Sequence, residues 1–107
     1  MIAMIAAKID IPLERIADFC RRWKVQEFAL FGSVLRDDFG PESDVDVLYV
    51  MCPGVEEDFY SYFDMKTELE ELFGRPVDLV KKKVVEDSPN WIRRKHILAN
   101  YRVVYAG

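Results

Sequence analysis

Two short apolar segments, Val45-Asp46-Val47-Leu48-Tyr49-Val50 and Val77-Asp78-Leu79-Val80, each carry an aspartate at their second position, and a helical run lies between them. Strand, helix, strand in that order imposes a crossover connection, whose two strands run parallel. Asp46 and Asp78 then reach the same edge of one sheet. Asp44, two residues before Asp46, projects to the same face, because side chains alternate along a strand. An earlier apolar strand, Phe28-Ala29-Leu30-Phe31, ends at Gly32-Ser33. If that strand runs antiparallel to the second, its end delivers Gly32-Ser33 to the edge that holds the three acids. A site there departs from the usual rule for open parallel sheets, which places ligands at the carboxyl ends of strands.

The rest of the chain reads as one α/β domain spanning residues 1–107, a small mixed β-sheet with helices packed mainly on one face. Leu13, Ile16, Ala17, Cys20 and Trp23 recur at helical spacing after Asp10 and Pro12, which predicts a helix over about 12–23. Val25 to Phe31 is the first strand. Ser33 to Asp38 is expected as a short helix with amides free at its N-terminus. The acidic strand covers about 44–51. Phe59, Phe63, Met65, Leu69, Leu72 and Phe73 mark a long helix closed by Gly74 and Pro76. A third strand begins at Val77 and is expected to extend through the lysines to Val85. Ser88 and Pro89 are expected to cap and open a last helix through Ala99, and Arg102 to Tyr105 forms a closing strand.

Side-by-side carboxylates repel each other, so a function or a cation between them is the natural reason to keep them. Hard oxygen donors of this kind suit Mg²⁺, which retains waters and also takes substrate phosphates. A Gly-Ser turn opposite offers backbone N–H groups to a phosphate, and Gly32 lets the backbone approach without a Cβ in the way. Together these residues describe a metal-dependent nucleotide site. Each has a plainer reading alone. A Gly-Ser pair after a strand is commonly just a turn, Asp44 after Ser43 is equally a turn residue, and Asp78 could be a paired structural acid. Asp46, inside a Val-rich strand, is the hardest to explain that way.

Gly32-Ser33 followed by Asp44-Val45-Asp46 resembles the signature of the DNA polymerase β-like nucleotidyltransferases, and the brevity of the chain resembles their minimal nucleotidyltransferase (MNT) branch. The resemblance implies transfer of AMP from ATP to a hydroxyl, with two Mg²⁺ ions shared by Asp44 and Asp46. Asp78 would complete the site of the ion that activates the acceptor, and Gly32 and Ser33 would hold the terminal phosphates. An arginine at the place of Arg36 is usual in that family. Here the context is Leu35-Arg36-Asp37 where Ala-Arg-Gly is frequent, so Arg36 has two roles open: a bidentate phosphate contact, or pairing with Asp37, Asp38 or Glu42. The resemblance further implies a HEPN-domain toxin as partner, silenced by adenylylation of a tyrosine, with this chain as antitoxin. Two rivals are a noncatalytic module that neutralises its partner by contact, and a catalytic subunit for a small-molecule acceptor.

Charge and composition trim the alternatives. At 107 residues and net charge −4 the chain lacks the basic footprint of a nonspecific nucleic-acid binder, so no direct DNA binding is expected. Met1 to Ala7 is apolar but short and leads into Lys8 and Asp10, a poor secretory signal, and no later stretch would span a bilayer. Cys20 and Cys52 have no zinc-like spacing with His96, the only histidine. They read as reduced, semi-buried thiols of a cytoplasmic protein. Lys81-Lys82-Lys83 reads as a solvated strand end or a partner-binding patch, and His96 as exposed or structural. Trp23 and Trp91 read as core. Tyr60 and Tyr62 offer hydroxyls for self-modification, with core packing equally open to Tyr62.

Overall fold

The computed structural model describes residues 12–35, 43–55 and 59–107. Helix α1 (Leu13–Trp23) leads into strand β1 (Val25–Phe31) and a 3₁₀ turn (Gly32–Leu35). Strand β2 (Val45–Met51), helix α2 (Phe59–Phe73) and strand β3 (Val77–Lys81) follow, then helices α3 (Lys82–Glu86) and α4 (Trp91–Ala99) and strand β4 (Tyr101–Ala106). The sheet order is β3-β2-β1-β4. β2 and β3 are parallel, as a crossover through α2 demands. β1 runs antiparallel to both β2 and β4.

The two longer helices cover one face. α1 buries Ile16, Phe19 and Cys20, and α2 buries Met65 and Leu69, against Phe28 and Leu30 of β1, Val45, Val47 and Tyr49 of β2, and Val77 and Leu79 of β3. These strand residues alternate, as a strand packed on one side requires. α1 carries Glu14 in its first turn and Arg21 and Arg22 in its last, matching the helix dipole. It stops at Lys24, held in the left-handed region (φ 59°), whose N–H donates to the Cys20 carbonyl. A clamp ties α1 to α2: the Arg22 guanidinium and the Trp23 indole N–H both donate to the Glu68 carboxylate, the indole at 3.1 Å.

The shorter helices α3 and α4 lie on the opposite face, where Val85 and Ile97 pack with Ala29, Phe31 and Leu48. Here the structure corrects several expectations. The third strand does not continue to Val85; it ends at Lys81, and Lys82–Glu86 is helical. The turn into a helix buries Val85 on the sheet and places the Lys82 ammonium 3.0 Å from the Tyr101 hydroxyl and 3.2 Å from Glu27. The cap of the last helix is Asn90, not Ser88, for its side-chain oxygen accepts the Arg93 N–H at 3.1 Å. Ser88 instead accepts the Asn90 N–H through its hydroxyl. Trp23 is half-buried, but Trp91 is 60 % exposed and is not a core residue. The helix expected after Ser33 is a single 3₁₀ turn through Leu35, and residues 36–38 lie outside the described residues.

Candidate active site

Asp46 and Asp78 are register partners on the adjacent parallel strands β2 and β3. Neighbouring strands lie about 4.8 Å apart, so partners of this kind carry their side chains next to each other on one face. Two residues further along, Leu48 and Val80 pack on the α3–α4 side of the sheet. The two aspartates therefore project from that same face. Asp46 is half-buried and Asp78 exposed. Among the described residues β3 is an edge strand, and Asp78 on it is exposed.

β1 delivers the turn to the same place. Its last residue, Phe31, pairs with Asp46 across the antiparallel ladder, so Gly32 arrives directly beside that carboxylate. Gly32 has φ +74°, and a Cβ there would run into Asp46 Oδ2 and stand 3.1 Å from its Cγ. Two requirements thus exclude a side chain at Gly32, one of backbone conformation and one of space. Asp44 precedes β2 and is exposed. Its position is fixed by ties to the start of β3: Val45 N–H donates to the Pro76 carbonyl at 3.0 Å, and the Arg75 guanidinium donates to the Ser43 carbonyl at 3.2 Å. The first amide of β3, Val77 N–H, is held in turn by the Glu70 carboxylate of α2. Gly32 and the three acids accordingly converge on one end of the sheet. Ser33 belongs to the same turn by its backbone, while its side chain, and Arg36 altogether, lie outside the described residues.

The donor set consists of hard carboxylate oxygens, with no sulfur among them. Among the described residues no group of three His, Cys, Asp or Glu side chains stands ready to cage a metal ion. Mg²⁺ is seldom caged in that way; one or two carboxylates hold it together with water and substrate phosphates. A paired Asp46 and Asp78 fit such an ion.

A cavity of about 180 Å³ lies on the other side of Gly32, lined by Gly32, Leu35, His96, Asn100 and Arg102. β4 flanks β1 opposite to β2, so this cavity and the aspartates stand on either side of the turn. His96 is exposed, as one of the two readings of the sequence had it, yet it lines this cavity with Asn100 and Arg102. A signal was present: residues 88–107 contain Arg93, Arg94, Lys95 and Arg102 and no carboxylate. Of the lysine run, Lys82 is engaged with Glu27 and Tyr101, and Lys83 pairs with Asp87. The Tyr62 hydroxyl donates to the Leu79 carbonyl at 2.6 Å, whereas Tyr60 is 79 % exposed. Both cysteines are free, Cys20 buried and Cys52 half-buried. Among the described residues no helix is long and apolar enough to cross a membrane.

Residues 13–104 match the family model of the nucleotidyltransferase domain. A Methanocaldococcus jannaschii protein provisionally named protein adenylyltransferase MJ1379 is 33 % identical over 66 residues, which cover 62 % of this chain and 66 % of that relative. The fold is shared with a toxin–antitoxin crystallised with AMP-PNP, with a TM-score of 0.68 at 18 % identity over 91 % of this chain and 75 % of the matched one. It is shared too with a complex of a tri-AMPylated Shewanella oneidensis HEPN toxin and an MNT antitoxin, with a TM-score of 0.60 at 18 % identity over 89 % and 70 % of the two chains.

Proposed function

The chain belongs to the nucleotidyltransferase-domain family, and from that premise we propose that it transfers AMP from ATP to a hydroxyl of a partner protein. The observation that carries the reading is the pairing of Asp46 with Asp78 beside a glycine whose missing Cβ leaves room for Asp46's carboxylate. The partner is a HEPN-domain toxin, the acceptor a tyrosine, and this chain the antitoxin in the cytoplasm. The toxin–antitoxin assemblies with the same fold, one solved with AMP-PNP and one with an AMPylated toxin, support that direction.

In this reaction the acceptor oxygen bonds to the α-phosphorus, the bond to the bridging oxygen of the β-phosphate breaks, and pyrophosphate leaves. Asp44, Asp46 and Asp78 would hold Mg²⁺, which when bound neutralises the phosphates and stabilises charge on the attacking and leaving oxygens. Asp78 receives the acceptor's proton, a role its exposure supports. Gly32 and Ser33 present the turn along which the terminal phosphates lie. Arg36, next along the chain, is assigned to the same phosphates.

The experiment is incubation of the chain with α-labelled ATP, Mg²⁺ and the candidate toxin, with Asp46→Asn in parallel. The substitution keeps the volume and removes one charge. Label should pass to the toxin with the intact chain, and the rate should fall on the order of 10²–10³-fold with Asp46→Asn, while the complex still forms. Equal protection from the toxin by the two proteins at matched expression would show that contact alone silences the partner.

A further inference from the structure

We propose that the cavity between Gly32 and the α4–β4 corner holds the terminal phosphates of the nucleoside triphosphate, with Arg102 and His96 as the groups that bind them. The inference rests on the nucleotidyl-transfer reading and adds a second wall to the site. Direction comes first. Displacement at phosphorus puts the attacking and leaving oxygens on opposite sides, and Asp78 on the outer strand marks the side of the acceptor. The leaving pyrophosphate then points from Asp46 across β1, over Gly32, towards β4. The cavity lined by His96, Asn100 and Arg102 lies at that place.

Charge agrees with direction. The whole chain has net charge −4, yet the charged side chain that lines the cavity with His96 is a guanidinium, Arg102, and no Asp or Glu lines it. Among the described residues neither Arg102 nor His96 has an ion-pair partner. A guanidinium left unpaired beside a phosphate-type turn suits a polyanion, which it can engage through two parallel hydrogen bonds. Two hydrogen bonds tie the corner. The Asn100 side-chain amide donates to the His96 carbonyl at 2.8 Å and its backbone N–H to the Ile97 carbonyl at 3.1 Å. Arg102 stands on β4 opposite Leu30, one residue in from the strand end that pairs with Phe31. Leu30 lies on the α1–α2 face, so Arg102 stands on that face of the edge strand and reaches the cavity from β4, while His96 reaches it from α4.

The test measures equilibrium binding of a nonhydrolysable ATP analogue and of AMP to the full chain, with Mg²⁺, for the natural protein, Arg102→Gln, Arg102→Lys and His96→Ala. Arg102→Gln should weaken the triphosphate analogue roughly tenfold or more and leave AMP binding within about twofold. Arg102→Lys should recover part of the loss and His96→Ala should cause a smaller one. Arg102 is exposed, so the variants should fold, and an unchanged melting temperature checks this. Undiminished analogue binding by Arg102→Gln overturns the inference, and so does an equal loss for AMP. Normal analogue binding with impaired transfer to the partner assigns the cavity to the acceptor and overturns it too. Failure of the natural protein to bind either nucleotide instead sinks the nucleotidyl-transfer reading itself.

Discussion

A side chain at Gly32 would strike the carboxylate of Asp46. The turn after β1 and the acid of β2 are therefore a single packed unit, built by the Phe31–Asp46 pairing immediately before it. Gly32→Ala tests this unit. The left-handed φ of +74° costs a non-glycine residue roughly 1–2 kcal/mol, and the Cβ must also displace Asp46. We expect a loss of about 2–3 kcal/mol, read in urea melts, together with loss of AMP transfer.

Asp78→Asn should separate stability from activity. Like charges held side by side on paired strands destabilise a sheet, and Asp78 lies beside Asp46 on the parallel neighbour. Neutralising Asp78 relieves the repulsion without changing volume. The melting temperature should hold or rise by a few degrees, while transfer to the partner should drop on the order of 10²-fold or more. A fall in melting temperature would show that Asp78 is a paired structural acid.

The strands that position the aspartates were legible because their signal is local. Alternation in Val45–Val50 and Val77–Val80, with a helical run between, leaves little choice of topology. The Lys82–Glu86 segment was not legible for the opposite reason. Val84-Val85 has strand propensity, and the helix there is decided by distant groups, Val85 against Leu48 and Lys82 against Glu27 and Tyr101. Trp91 misled in the same way, since helical spacing does not say whether another element covers a face. The cavity beside Gly32 depends on β4 pairing with β1, residues about 70 apart in the chain. No periodicity within a short window encodes that pairing, although the acid-free charge of residues 88–107 hints at an anion.

The two thiols should differ sharply in reactivity. Burial pushes the Cys20 thiol up to about 12, against a smaller downward pull from Arg21 and with a further small rise from Cys52. Cys20 is fully buried as well, whereas Cys52 is half-exposed. The thiolate is the reacting species, so at pH 8 a thiol reagent should label Cys52 alone. The second label should enter only in denaturant, which mass spectrometry of the native and unfolded protein will show.

Glu68→Gln should loosen α1 from α2 in a pH-dependent way. The Arg22 guanidinium hydrogen-bonded to Glu68 holds its carboxyl below the usual range, burial opposes this, and the Trp23 N–H assists. A carboxyl whose folded pKa is depressed adds stability that is present above its unfolded pKa, near 4.3 for Glu. That stability is lost as pH falls through the folded pKa. Glu68 is partly exposed, so solvent and salt screen the gain. At pH 7 and low salt, Glu68→Gln should lower the melting temperature by roughly 4–8 °C, the shift that about 1 kcal/mol gives in a domain of this size. The difference from the natural protein should shrink with added salt and close as pH drops below about 4. A gap that persists at pH 3 would mean that the amide disturbs packing around Trp23, and that the charge of Glu68 is not what clamps the helices.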